Sequence, residues 1–202
     1  MDAEAWNDRY GQQPLLWKPV ANRLFTSLVD ELPAGRALDL GAGEGGNAVW
    51  LAEQGWRVTA VDFSSEALKR MSGLARERGV KIETVEADVL AFQPTLEAFD
   101  LVALLYLQLP AAELHRVLDL SVDALAPGGT LIVIAHDVRN LEEGVGGPQD
   151  ANVLLDTVAV TDQVTERLEV IRAETLTRSV EGQDRAALDA LVVATKPQVS
   201  SA

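Results

Sequence analysis

Short apolar runs alternate with longer stretches whose apolar residues recur at helical spacing. From Arg36 onward the runs are Ala37 to Leu40, Arg57 to Val61, Lys81 to Glu86, Phe99 to Leu105 and Thr130 to Ala135. Runs of this length bounded by glycine, proline or acidic residues read as strands, and the periodic stretches that fill the gaps read as helices. Ser64 or Ser65, followed by Glu66 and Ala67, marks a helix start before LKRMSGLARERG. Pro110 marks another before AAELHRVLDLSVDALAPGG, which Pro127, Gly128 and Gly129 are expected to end. The C-terminal third differs. Leu168 to Ser179 and Ala187 to Thr195 alternate apolar and β-branched positions around a turn, EGQDR, and strands joined so tightly must be antiparallel. The pattern predicts an α/β protein whose parallel sheet ends in an antiparallel strand.

Size and composition narrow the class. The chain has 202 residues, 48% hydrophobic and 24% charged, which fits a single domain over 1–202. A formal net charge of -14 opposes binding to DNA or RNA through phosphates, so a small-molecule substrate is expected. With no cysteine there is no disulfide framework, thiolate metal site or cysteine nucleophile, and no metal site is expected. No run of about 18 apolar residues is present, and MDAEAWNDRY is acidic and polar where a signal peptide would be basic and then apolar. A cytoplasmic protein without membrane association, monomeric or homodimeric, is the simplest expectation.

The candidate chemistry centres on RALDLGAGEGG, Arg36 to Gly46, where a strand enters a glycine-rich turn that opens a helix. Glycines let the backbone approach a ligand, and the following amides present donors at a positive dipole end. Asp62 closes the next strand, VTAVD. Together they point to an adenosine-containing cofactor, and two templates fit. Gly41, Gly43 and Gly46 satisfy G-x-G-x-x-G with Asp62 about 20 residues past the first glycine, the NAD pattern of an oxidoreductase. Gly41, Gly43 and Gly45 also satisfy D-x-G-x-G-x-G, with Asp39 in front. A carboxylate there sits badly beside a pyrophosphate and well beside a cationic, phosphate-free cofactor such as S-adenosylmethionine. A strand-terminal aspartate capping a neighbouring loop is the alternative.

LDLGAGEGG, VTAVDFSSEAL, VEADV, FDLVALLYLQLP and LAPGGTLIVIAHD match in order and spacing the class I S-adenosylmethionine-dependent methyltransferases, and the resemblance covers nearly the whole chain. It implies a Rossmann-like, doubly wound seven-stranded sheet, mostly parallel with an antiparallel last strand and helices on both faces. More finely, the chain resembles the small tellurite-resistance and thiopurine methyltransferase branch, in which an N-terminal helical segment (here 1–35) lies over the cofactor and the Rossmann-like core (here 36–202) follows. The resemblance implies S-adenosylmethionine as cofactor, S-adenosylhomocysteine as product and methyl transfer to a small molecule by in-line displacement. Asp39, Gly41, Ala42 and Gly43 would wall the methionine part. Asp62 would take the ribose hydroxyls or, alternatively, cap the helix from Ser64. Phe63 would pack on adenine or in the core. Asp88 would accept from the adenine amino group, with the Val89 amide facing the ring, or else cap a turn. Leu105 would contribute where the fourth strand ends.

The acceptor is less legible. His136, after the fifth strand, is a candidate base or substrate ligand, with a structural histidine as the alternative; Tyr106 either donates its hydroxyl or packs. His115 reads as an ordinary helix residue. Gln108 stands where similar sequences often carry histidine, which weakens any base in that loop. Trp6, Tyr10 and Trp17 form an aromatic set suited either to cation–π contact over the cofactor, with Tyr10 reaching the substrate, or to anchoring the segment. Arg9 and Arg23 are nearby donors for an acceptor carboxylate. The long segment DVRNLEEGVGGPQDANVLL suggests that Arg139, Asn140, Gly146, Gly147 and Pro148 line the acceptor pocket, or merely connect elements. A module that holds the cofactor without transferring its methyl group also fits, because this chemistry needs no diagnostic side chain.

Overall fold

A computed structural model describes residues 3–11 and 20–198. It divides into two compact units, Met1–Gln93 and Pro94–Ala202.

The first unit is built on three parallel strands, β1 (Arg36–Leu40), β2 (Arg57–Asp62) and β3 (Glu83–Glu86). Asp39 pairs with Ala60 and Leu40 with Val61, while Asp62 pairs with Glu86. Ala37, Leu38 and Leu40 are fully buried, as expected of a strand covered on both faces. The helices are α1 (Ala3–Gly11), α2 (Arg23–Val29), α3 (Gly46–Glu53) and α4 (Ser65–Arg78). Ser64 caps α4 by accepting from the Ala67 amide, and Gly79 ends it in the left-handed conformation, φ 71°. Asn22 caps α2 through the Phe25 amide. The expected helix start at Ser64 or Ser65 is therefore found. The third strand is shorter than expected, and no helix follows it; Asp88 instead closes a turn by accepting from the Leu90 amide at 2.8 Å.

The second unit contains β4 (Phe99–Leu105), α5 (Ala111–Ala124), β5 (Leu125–His136), α6 (Asn140–Glu143), a 3-10 turn (Ala151–Val153), α7 (Thr157–Thr165), β6 (Glu169–Arg178) and β7 (Ala187–Thr195). β4 and β5 are parallel; β7 runs antiparallel to both β5 and β6. Every residue of β7 from Ala187 to Ala194 is buried, whereas β6 is largely exposed. The expected stop at Pro127 to Gly129 is corrected. The helix ends at Ala124, and the glycines belong to β5, held because the Gly128 amide donates to Lys196 O (2.8 Å) and the Lys196 amide to Gly129 O (2.9 Å). The segment 137–155 after β5 carries more structure than a plain loop, namely α6 and the 3-10 turn, and α7 follows it, capped by Asp156 through the Val158 and Ala159 amides.

The seven-stranded sheet has the order β3-β2-β1-β4-β5-β7-β6, mostly parallel with an antiparallel last strand, as expected. Among the described residues no helix is long and apolar enough to cross a membrane.

Candidate functional site

In the first unit, polar groups gather at the carboxyl ends of β1 and β2. Gly41 and Gly43 have φ of 73° and 54°, and Gly45, the N-cap of α3, has 82°. These are left-handed conformations that side chains resist. The turn is tied down by the Gly41 and Ala42 amides, which both donate to Val61 O (2.9 and 3.1 Å). Asp62 then braces it from the side. One carboxylate oxygen accepts from the Gly43 amide and the other from the Ser64 amide, each at 2.8 Å. Burial pushes its pKa up, while the Ser64 and Gly43 amides pull the other way. A carboxylate has about four lone-pair positions, so these two bonds leave acceptor capacity for a diol.

Asp39 is 1% exposed, and its Oδ2 has no hydrogen-bond partner among the described residues. Burial, reinforced by the charge of Asp62, raises its pKa to about 7. An unpartnered buried carboxylate oxygen is costly unless a donor or cation arrives to meet it. The group is therefore poised to receive positive charge and hostile to a phosphate.

Helix α1 lies against this turn. Asn7 Oδ1 accepts from the Ser64 hydroxyl (2.6 Å), and Arg70 of α4 donates both to the Tyr10 carbonyl and to Glu44 of the turn (2.6 Å). Tyr10 is buried, and its hydroxyl would lie 3.1 Å from a Cβ at Gly43, so only glycine sits comfortably there. The Trp6 and Tyr10 rings are 5.5 Å apart, with the Arg9 guanidinium 5.0 Å over Trp6. Glu44, Arg70 and Asn7 were missed by sequence reading, because their partners lie up to 60 residues away. Trp17 lies outside the described residues. Phe63 is half-buried directly after β2, Val89 is buried, and Asp88 and Arg23 are exposed.

The second unit carries its own polar cluster, again at the carboxyl ends of strands. Tyr106, just past Leu105 at the end of β4, is held at φ 56°, a strained conformation for a bulky residue. Its hydroxyl donates to Asp189 Oδ2 at 2.8 Å. Arg178 donates through Nε to the same oxygen (2.5 Å) and through Nη2 to Oδ1 (3.2 Å). His136 stands opposite Asp189 in the β5–β7 register, with Nδ1 3.4 Å from Asp189 Oδ1. That is ion-pair distance, but the alignment falls short of a formed hydrogen bond. Asp189 is held below the usual carboxylate range despite its burial, because His136, Arg178 and Tyr106 all favour its charge. Burial pushes the Tyr106 phenol well above its usual value, so it acts as a donor and not as a base.

This cluster joins the two candidates read from sequence, Tyr106 and His136, to two that were missed. Asp189 had a signal: it is the lone acidic residue in the apolar strand ALDALVVAT. Arg178 had none. Asn140 is buried, and its amide is spent on the loop, donating to Gly146 O (2.8 Å) and accepting from the Leu188 amide (2.7 Å). It closes the segment after β5. Arg139 is exposed and forked onto Glu143 at 2.7 and 3.2 Å. Among the described residues no cluster suited to a metal ion exists.

A family model described as a methyltransferase domain matches residues 37–129. The ubiquinone biosynthesis O-methyltransferase of Xylella fastidiosa (strain 9a5c) is 35% identical over 135 residues, 63% of this chain and 53% of that protein. The chain thus spans about half the length of the curated relatives it matches. N-methyltransferase NodS from Bradyrhizobium japonicum WM9, solved with S-adenosylhomocysteine, shares the fold with a TM-score of 0.73 at 18% identity, covering 98% of this chain and 100% of NodS. TehB from Haemophilus influenzae does so with a TM-score of 0.72 at 16% identity, covering 87% and 62%. The matched residues include the glycine turn and the ends of β1 and β2 described above, so residues 37–129 carry a methyltransferase domain and the chain is similar to S-adenosylmethionine-dependent methyltransferases.

Proposed function

We propose that this chain binds S-adenosylmethionine and transfers its methyl group to a small-molecule acceptor, in the cytoplasm. The observation that carries the reading is Asp39. A fully buried carboxylate with an unpartnered oxygen, set behind a left-handed glycine turn, is a counter-charge for a cationic ligand and would repel a pyrophosphate. The rest of the first unit's turn fits the same group. Gly41, Ala42 and Gly43 supply backbone without side-chain bulk, Asp62 keeps acceptor capacity for the ribose hydroxyls, and Phe63, Asp88 and Val89 follow at strand ends for adenine. When bound, the cofactor supplies an electrophilic methyl on a sulfonium. The protein's part is to orient the acceptor and exclude water, which brings its gain through positioning. The relative named for ubiquinone biosynthesis supports a small organic acceptor.

Calorimetric titration with S-adenosylhomocysteine and with NADH tests the donor. S-adenosylhomocysteine is expected to bind more tightly, and Asp62→Asn to weaken it by about tenfold or more, ~1.4 kcal/mol, because the variant loses one acceptor and sets an amide donor against a backbone N–H. Tighter binding of NADH overturns the reading.

A further inference from the structure

We propose that the free edge of β6 is a homodimer interface, pairing antiparallel with the same edge of a second copy of this chain in a register centred on Ala173.

β6 ends the sheet order, so among the described residues one of its two edges has no neighbouring strand. It is 10 residues long and largely exposed, whereas β3 at the opposite end of the sheet has 4. A long unpaired edge presents a row of backbone donors and acceptors, which proteins normally blunt with charges or cover with another strand. The charges here do not blunt it, because they match one another. Two copies of one strand related by a two-fold axis pair antiparallel, each residue facing the one equally far beyond the centre. About Ala173, Arg172 faces Glu174 of the second copy, and Glu174 faces Arg172 of the second copy. These two side chains share one face of the strand, since Arg172 Nε donates to Glu174 Oε1 at 2.7 Å. Both stay exposed, at 41% and 43%, and so remain open to a second partner. Dimerisation joins the two pairs into a ladder of alternating charge across the seam, and Ala173 against Ala173 puts no bulk between the backbones.

Other centres match less well. On Arg172 or Glu174, like charges meet directly; on Thr175, Arg172 meets Arg178. On Leu176, Glu174 meets an Arg178 already forked onto Asp189, and Arg172 falls opposite Val180, beyond the strand. The ladder of β6 on β7 runs without a break from Arg172 to Arg178, and its irregularity is confined to Val170–Arg172. At that end Ile171, 57% exposed, comes beside Thr175 and Leu176 of the second copy and gains apolar cover. Local charge also permits the approach. The chain carries -14, yet residues 167–178 hold three arginines and two glutamates. One strand edge is small beside a standard interface of about 20–30 residues a side, so the dimer is expected to be weak, with Kd on the order of 10–100 µM.

Sedimentation velocity of the full chain at ~0.15 M salt, which screens the repulsion between two acidic molecules, is expected to show monomer passing to dimer as concentration rises. Arg172→Glu and Glu174→Arg each set like charges against each other at both pairs and are expected to weaken association by about tenfold or more. The exchange of both, Arg172→Glu with Glu174→Arg, is expected to restore it. Thermal melting at a concentration where the chain is monomeric checks that these exposed substitutions leave the fold intact. A chain still monomeric at ~1 mM, or a dimer indifferent to the single reversals, overturns the proposal. A second measurement reads the register. The chain has no cysteine, so Ala173→Cys carries one thiol that faces its own counterpart and is expected to form a disulfide-linked dimer on mild oxidation. Thr177→Cys places the two thiols roughly 27 Å apart along the paired strands and is expected to stay unlinked. Linkage of Thr177→Cys as fast as that of Ala173→Cys, or of neither, overturns the proposal.

Discussion

At the residue scale, two buried carboxylates have opposite linkages to pH. Asp39 has its folded pKa raised to about 7 from an ordinary value near 3.8. The folded protein therefore holds that proton where the unfolded chain has already released it. Its stabilising contribution is complete below the ordinary value and is lost as pH rises through about 7. Asp189 is lowered, so its contribution is present above the ordinary carboxylate range and is lost as pH falls below it. Asp39→Asn removes the first effect. The variant is expected to lose less stability than the parent between pH 5 and 8 in urea denaturation, and to bind S-adenosylmethionine at least about tenfold more weakly because the counter-charge is gone. A parent whose stability rises across that window, with the variant following it, would contradict the placement of Asp39 as a buried, proton-holding group.

At the element scale, the glycine turn and α4 depend on each other. A Cβ on Gly45 would fall 2.2 Å from Met71 Cγ, at a φ of 82°. Gly45→Ala combines overpacking with backbone strain and is expected to cost about 2–4 kcal/mol in equilibrium unfolding. Met71→Ala removes the Cγ and Sδ contacts but keeps its Cβ, 2.8 Å away, so it should relieve part of the steric cost and none of the backbone strain, giving a double mutant less destabilised than the sum of the singles. On the other unit, a Cβ on Gly147 would lie 2.9–3.0 Å from the His136 ring at a φ of 73°, and Gly147→Ala is expected to cost about 1–3 kcal/mol in equilibrium unfolding. Elements of this kind were legible where their signal is local. Apolar runs gave the strands, Ser64 gave the start of α4, and the glycines gave the turn. Longer-range pairing was not legible. The PGG segment looks like a helix stop, yet becomes strand because Lys196 pairs with its backbone, and the stretch after β3 forms no helix but a turn pinned by Asp88. The candidate residues of each unit divide the same way. Asp39, Asp62, Tyr106 and His136 stand at strand ends visible in the sequence, whereas Arg70 and Arg178 gain meaning only from partners brought together by folding.

At the scale of the whole molecule, charge sets a background against which these local effects are read. A formal net charge of -14 makes the folded chain repel itself, since compactness brings like charges closer than they lie in the unfolded chain. Several acidic groups are already answered in pairs, Glu44 with Arg70 and Asp189 with Arg178, but 31 acidic residues outnumber 17 basic ones. Raising ionic strength from about 0.01 to 0.15 M shortens the screening length from ~30 to ~8 Å and should damp this surface repulsion. The thermal midpoint at pH 8 is therefore expected to rise with salt, and the advantage of pH 6 over pH 8 to shrink. It should not vanish. Asp39 is fully buried, so its share of the pH dependence is screened far less than that of surface charges. Scanning calorimetry of the parent and Asp39→Asn at both pH values and both salt levels separates the two. The salt-sensitive part should be common to both proteins, and the salt-resistant part should belong to the parent alone. A pH dependence abolished by salt in the parent would assign the whole effect to the surface and leave Asp39 an ordinary carboxylate.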